Sequence, residues 1–272
     1  MWIFCGGMNR SGSTLQFQLT AHLVEQAGRG KRVDWITPDE FPQLREKLAG
    51  QAEWKVFKTH RCTPEILAEF QAGNAKAVYI YRDVRDVIVS RINRTGGTFS
   101  GLWRGTLISI LKNYRQWTSL DGVLISRYED VVVDVAGEVR RIAAHLDIPI
   151  SHEESQQVAA EYTPERQLAR IQEAKQTGLV ERSPKVAFDP VSNLHTNHIR
   201  SGKSKQWASV LTRRQVAQIE SRAGSWLVAN GYELSVPRWQ RVGLLALHKV
   251  SKRAGRLLGA RRRKGAHKAR SA

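Results

Sequence analysis

Two cysteines, Cys5 and Cys62, are all that the 272 residues contain. That is too few for the disulfide framework of a small secreted domain. No run approaches the roughly 20 consecutive apolar residues of a membrane-spanning helix. The opening residues 1–7 offer no basic segment and too short an apolar stretch for a secretory signal. Together these absences lead to the expectation of a soluble, reduced, cytoplasmic protein. Compact spacings of His, Cys, Asp and Glu that would hold a metal are missing as well. His195 and His198 stand three apart without further ligands beside them, so no metal is expected.

Acidic residues are scarce too: 25 Asp and Glu face 43 Lys and Arg, for a formal charge of +18. The shortage is local. Residues 237–272 carry twelve Lys or Arg and no Asp or Glu, which leaves +6 for residues 1–236. Such a charge calls for an anionic partner: a phosphorylated ligand, an acidic membrane face or nucleic acid. The modest charge of the first 236 residues does not require a broad nucleic-acid surface, and that partner is not expected. The sequence divides into a domain at 1–236 and a basic tail at 237–272.

What is present is an alternation of strands and helices. Short apolar runs at Trp2–Cys5, Val33–Ile36, Trp54–Lys58, Ala77–Tyr81 and Val123–Ser126 read as strands. Helical stretches at about 13–27, 64–72, 84–94 and 102–117 separate most of them. Strands alternating with helices imply a central parallel sheet covered on both faces, a three-layer α/β fold of the P-loop type. The second half is mainly helical, at 135–146, at 153–176 with a break near Pro164, and at 212–230 with Gly231 as its stop. Between them, 183–204 reads as a long polar loop, a length that often serves function.

Four constellations carry chemistry. Gly6-Gly7-Met8-Asn9-Arg10-Ser11-Gly12-Ser13-Thr14 joins a strand to a helix, which aims backbone N–H groups and a helix N-terminus at an anion. Arg10 adds charge, and Ser11, Ser13 and Thr14 add hydroxyls. The spacing follows a nucleotide-triphosphate loop, but Ser13 stands where that loop needs its lysine. Lys58 and His60 close the strand Trp54–Lys58, at the end of a parallel sheet where ligands collect. A lysine there can stabilise a leaving phosphate, and a histidine can take an acceptor proton. Alone, the pair also reads as a surface lysine and a capping histidine. Arg82 ends the third constellation's strand, and Ser90 follows two helical turns on, so the two can share one phosphate. A salt-bridged helix start, with Asp83 or Asp86 satisfying Arg82 or Arg85, fits the same residues. Arg200-Ser201-Gly202-Lys203-Ser204-Lys205-Gln206-Trp207 is a basic loop that ends on an aromatic, and alone it reads as solvated.

In this order the motifs resemble the PAPS-dependent sulfotransferase family, PAPS being 3′-phosphoadenylyl sulfate. Asn9 to Thr14 is similar to that family's Pro-Lys/Arg-Ser-Gly-Thr-Thr loop, with Asn9 in place of proline. Lys58-Thr59-His60 matches its Lys-Thr-His segment. Tyr79, Arg82, Asp86, Val87 and Ser90 match the segment around the 3′-phosphate, and Tyr128-Glu129-Asp130 matches a later one. Arg200, Gly202 and Trp207 match the late loop. Leu15 departs from an adenine-stacking tryptophan, Ser201 from a basic residue and Gln206 from an acidic one.

The resemblance implies PAPS as sulfuryl donor. It places the phosphosulfate on Arg10 and the N–H groups of Ser11, Gly12, Ser13 and Thr14. The 3′-phosphate falls to Arg82, Ser90, Arg200 and Gly202, with Tyr128 as a further contact. It makes His60 the general base and Lys58 the residue that neutralises the leaving phosphate. The acceptor is a hydroxyl, and the Gly/Ser/Thr-rich segment 95–103 favours a glycan or glycolipid. A P-loop kinase of a small metabolite and a polyanion-binding module are the alternatives. The tail, if helical over 239–258, forms a basic amphipathic surface suited to an anionic membrane or to packing on the domain.

Overall fold

The computed structural model describes residues 1–177, 180–183, 186–188, 194, 204–244 and 246. Five strands form one sheet: β1 (Trp2–Gly7), β2 (Gly30–Trp35), β3 (Trp54–Lys58), β4 (Ala75–Tyr81) and β5 (Val123–Arg127). Their order is β2-β3-β1-β4-β5, and every pairing is parallel. The expected parallel α/β architecture is therefore present.

The strands are apolar on both faces because both are covered. Successive side chains point to opposite sides. Ile3 and Cys5 of β1 pack with Phe17, Leu19 and Val139, beneath helices α1 (Ser13–Gln26), α7 (Val135–His145) and α8 (His152–Glu161). Phe4 between them packs the other way, onto Phe41, Ile66 and Trp117 of α2 (Phe41–Lys47), α3 (Pro64–Gln71) and α5 (Phe99–Thr118). Phe4, Phe41, Phe57 and Trp117 are completely buried and meet ring to ring. A third cluster joins α4 (Val84–Thr95) and α5 to α11 (Arg213–Ala229).

Several elements differ from expectation. Strand β2 begins three residues earlier than its apolar run, because the alternation Gly-Lys-Arg suits an edge strand. Helix α2 carries a proline, Pro42, and was not expected from the sequence. Pro42 lies in its first turn, where no backbone N–H is needed. A one-turn helix, α6 (Tyr128–Val131), follows β5 directly. The expected break near Pro164 separates α8 from α9 (Pro164–Thr177). Strands β6 (Val180–Ser183) and β7 (Val186–Phe188) then pair antiparallel, where a loop alone was expected from 183. A short α10 (Trp207–Val210) precedes α11. Residues 238–244 are helical as well. They lie on α11 through Arg213 to Gln240 and through Arg241 to Glu220 at 3.6 Å.

Candidate active site

Parallel strands all deliver their following loops to one edge of the sheet. In the order β3-β1-β4-β5, that edge presents Lys58 and His60, then the loop 8–12, then Arg82, then Tyr128. Neighbouring strands lie about 4.8 Å apart, so residues more than a hundred positions apart in sequence become neighbours.

The loop after β1 is shaped by two left-handed residues, Arg10 (φ 72°) and Gly12 (φ 90°). A side chain at Gly12 would put its Cβ 2.8 Å from the Tyr128 ring, so only glycine fits the turn and the contact together. Ser11 pins the turn from inside. Its Oγ lies 2.7 Å from the Met8 carbonyl and 2.9 Å from that of Ile80. That corrects the expectation of Ser11 as a hydroxyl donor to ligand: its one proton is committed to the loop. Helix α1 starts at Ser13 with no side-chain cap and no acid in its first turn. Its N-terminal dipole thus meets no carboxylate of the first turn.

Lys58 and His60 are each fastened to this loop. Lys58, buried at the end of β3, donates from Nζ to Thr14 Oγ1 at 2.6 Å, which sets its charge at the start of α1. His60 Nδ1 lies 2.9 Å from the Gly7 carbonyl. A carbonyl only accepts, so Nδ1 carries the proton and Nε2 keeps its lone pair. Burial lowers the His60 pKa to about 4. Lys58 adds to this, the Gly7 bond opposes it, and Arg94 lowers it further. The imidazole is therefore neutral at neutral pH. Trp117 Nε1 holds the backbone of the same residue, donating to the His60 carbonyl at 3.1 Å.

On the other side of the loop stand Arg82 and Ser90. Arg82 is buried, lies 4.2 Å over the Tyr128 ring, and reaches Asp86 and the Arg10 carbonyl at 3.4 Å each. Arg10 Nε donates to Ser90 Oγ at 2.9 Å. Arg10 was expected at the phosphosulfate, but its guanidinium lies on the Ser90 side; Lys58 is the cation at the start of α1. The backbone at Arg10 is left-handed, and its side chain ends on Ser90 of α4.

Residues 3–231 match the family described as the sulfotransferase domain. The chain belongs to that family. A 3-alpha-hydroxysteroid sulfotransferase of Cavia porcellus is 26% identical over 157 residues, 49% of this chain and 51% of that protein. The chain thus aligns with about half the length of this curated relative. Among solved structures, retinol dehydratase in complex with retinol and PAP has a TM-score of 0.59 at 21% identity, covering 87% of this chain and 83% of that one. A mouse sulfotransferase complexed with PAP has a TM-score of 0.52 at 14% identity, covering 85% and 89%. These two likenesses concern the fold.

Within the sulfotransferase frame, Asp86 has a part that sequence reasoning missed. Its carboxylate accepts the backbone N–H groups of Lys205 (2.8 Å) and Trp207 (2.9 Å), while pairing with Arg82. It therefore ties the end of the late loop to the Arg82 strand end. Arg85 backs this joint: its guanidinium lies 3.9 Å over Trp207 and pairs with buried Asp83 and Glu220 at 2.8 Å each. Arg200 and Gly202 lie outside the described residues, as do His195 and His198. Leu15 packs against Ile80, Tyr128 and Val131. Among the described residues no group of three His, Cys, Asp or Glu side chains is arranged to hold a metal ion.

Proposed function

We propose that this sulfotransferase-family chain moves a sulfuryl group from PAPS to an acceptor hydroxyl. The observation that carries the reading is the joint anchoring of Lys58 and His60 on the loop 7–14, with Arg82, Ser90 and Arg10 grouped on its far side. The Lys58 ammonium on one side of the glycine-rich loop and the Arg82 and Arg10 guanidiniums on the other fit a donor with phosphates at two ends. The uncapped start of α1, with no acid in its first turn, leaves its backbone N–H groups open to a phosphate. PAP-bound relatives of the same fold support this choice of ligand.

The chemistry follows from the groups present. His60 Nε2 takes the acceptor hydroxyl proton as the acceptor oxygen attacks sulfur. The bond between sulfur and the bridging 5′-phosphate oxygen breaks, and Lys58 with the α1 N-terminus neutralises the charge left on that phosphate. Arg82 and Ser90, with Arg10 beside them, hold the 3′-phosphate. Arg200 and Gly202 belong to the same proposed set through the family motif.

Calorimetry tests the donor. Adenosine 3′,5′-bisphosphate should bind without Mg²⁺ and at least about tenfold more tightly than AMP, since charged hydrogen bonds contribute about 1.5–3 kcal/mol each. Equal affinity for the two nucleotides would overturn the assignment, and binding of Mg-ATP alone would favour a kinase.

For the acceptor we keep a glycan or glycolipid hydroxyl, on the polar character of residues 95–103. For location we propose peripheral contact of a cytoplasmic protein with an anionic membrane. Trp239 and Val242 support it: they are 73% and 64% exposed, whereas Arg241, between them, turns inward to buried Glu220. Among the described residues no helix is long and apolar enough to cross a membrane.

A further inference from the structure

Resting on the sulfotransferase reading, we infer that the acceptor carries a negative charge of its own, and that Arg94 receives it. The argument begins with helix α4. Residues four apart lie on one helix face. Asp86 on that face accepts from the late loop, and Ser90 accepts from Arg10, so the face looks onto the donor-binding loops. Arg94 is the next position on it, about 6 Å further along the axis. Its charge is close enough to His60 to act on the imidazole. Arg94 is exposed, and among the described residues no carboxylate lies within 4.0 Å of it.

The surroundings offer no compensation. From residue 87 to residue 120, which covers most of α4, all of α5 and their connection, there are five Lys or Arg and no Asp or Glu. The far end of this helical pair returns to the site, where Trp117 binds the His60 carbonyl. Arg61, beside His60 in sequence, already has Asp39 at 3.0 Å. Lys58 is turned into the start of α1. Arg94 is thus an exposed cation within electrostatic range of the base, with no described carboxylate within 4.0 Å.

For a neutral acceptor this arrangement is a handicap. A bare guanidinium beside the base weakens its hold on a proton. An acceptor with a carboxylate, sulfate or phosphate near its hydroxyl pairs with Arg94 and removes that residue's share of the effect on His60, while burial and Lys58 continue to act. Recognition and that relief of the base then arise from one contact. The acceptor class becomes an anionic hydroxyl compound, of which an acidic glycan is one form.

The test uses the full chain saturated with adenosine 3′,5′-bisphosphate and two matched probes, 2-naphthol and 6-hydroxy-2-naphthoate. Binding to the complex is followed by fluorescence, at low and high salt. The naphthoate should bind at least about tenfold more tightly than the naphthol, the worth of one charge-assisted hydrogen bond, and less so at high salt. Arg94→Ala should abolish the preference and Arg94→Glu reverse it, with 2-naphthol affinity changed less than about twofold. Equal binding of the two probes, no binding of the naphthoate, or a preference that survives Arg94→Glu would overturn the inference. Failure of the bisphosphate itself to bind would instead strike the sulfotransferase reading on which it rests.

Discussion

Acidifying the solution from pH 7 to 5.5 should leave the proposed base of this protein working, although it would disable an ordinary imidazole. An unperturbed histidine titrates near 6.5 and is about 90% protonated at pH 5.5. His60 is brought down to about 4, first by burial and then by Lys58, against the opposing Gly7 carbonyl and with Arg94 adding to the fall. At pH 5.5 it is then only about 3% protonated. The rate measure that reports the free enzyme is kcat/KM for PAPS at acceptor concentrations well below the acceptor's KM. Its acid limb should lie below pH 5. Bound donor brings negative charge near Lys58 and opposes the shift, so the limb in kcat should lie higher. The His60 resonance, assigned by its loss in His60→Gln, should titrate with the kcat/KM limb.

The same shift has a stability consequence. The folded pKa lies below the unfolded one, so between about 4 and 6.5 the unfolded chain binds more protons. Stability is full above about 6.5 and is lost as pH falls toward 4, by up to about 2–3 kcal/mol after allowance for partial exposure of the ring. His60→Gln should therefore narrow the gap between Tm at pH 7 and at pH 4.5, while His60→Ala lowers turnover about 10²–10⁴-fold with PAP affinity intact. A kcat/KM limb and a resonance that both titrate at 6–7 would refute the reasoning.

Three further outcomes are expected. Gly12→Ala places a Cβ against Tyr128 at φ 90° and should cost about 1–3 kcal/mol in chemical denaturation, with weaker PAP binding in calorimetry. Glu220→Gln strips charge from a fully buried carboxylate that accepts from Arg85, Ser235 and Val236. It should cost about 3–5 kcal/mol, read as a fall in Tm. Trp239→Asp should reduce cosedimentation with phosphatidylglycerol vesicles at low salt without changing PAP affinity, and unchanged pelleting would remove this residue from the membrane contact.

Much of the site was legible because the fold concentrates it at strand ends. Ala77–Tyr81 is buried on both faces and reads as an unbroken apolar run that stops at Arg82, while Trp54–Lys58 is apolar apart from Lys55 and ends on Lys58. The break from apolar to charged is itself the signal. Asp86 gave no such signal for its second role. Its bonds to Lys205 and Trp207 span 119 and 121 residues, and no local spacing encodes a pairing of that length. The side on which Arg10 lies was hidden for a different reason. A left-handed φ at a non-glycine residue is a property of the folded turn and has no mark in composition.

The charge of the first 236 residues takes on a different meaning once placed. Arg32 is matched by Glu25, Arg141 by Glu138, and Arg85 by Asp83 and Glu220, and these pairs hold elements together. They pair within the fold. The positive charge that bears on His60 is of another kind: Lys58 at the start of α1 and the exposed Arg94 of α4. A cationic field costs a base part of its strength. Under the anionic-acceptor proposal, negative charge on the donor phosphates and on the acceptor offsets that cost.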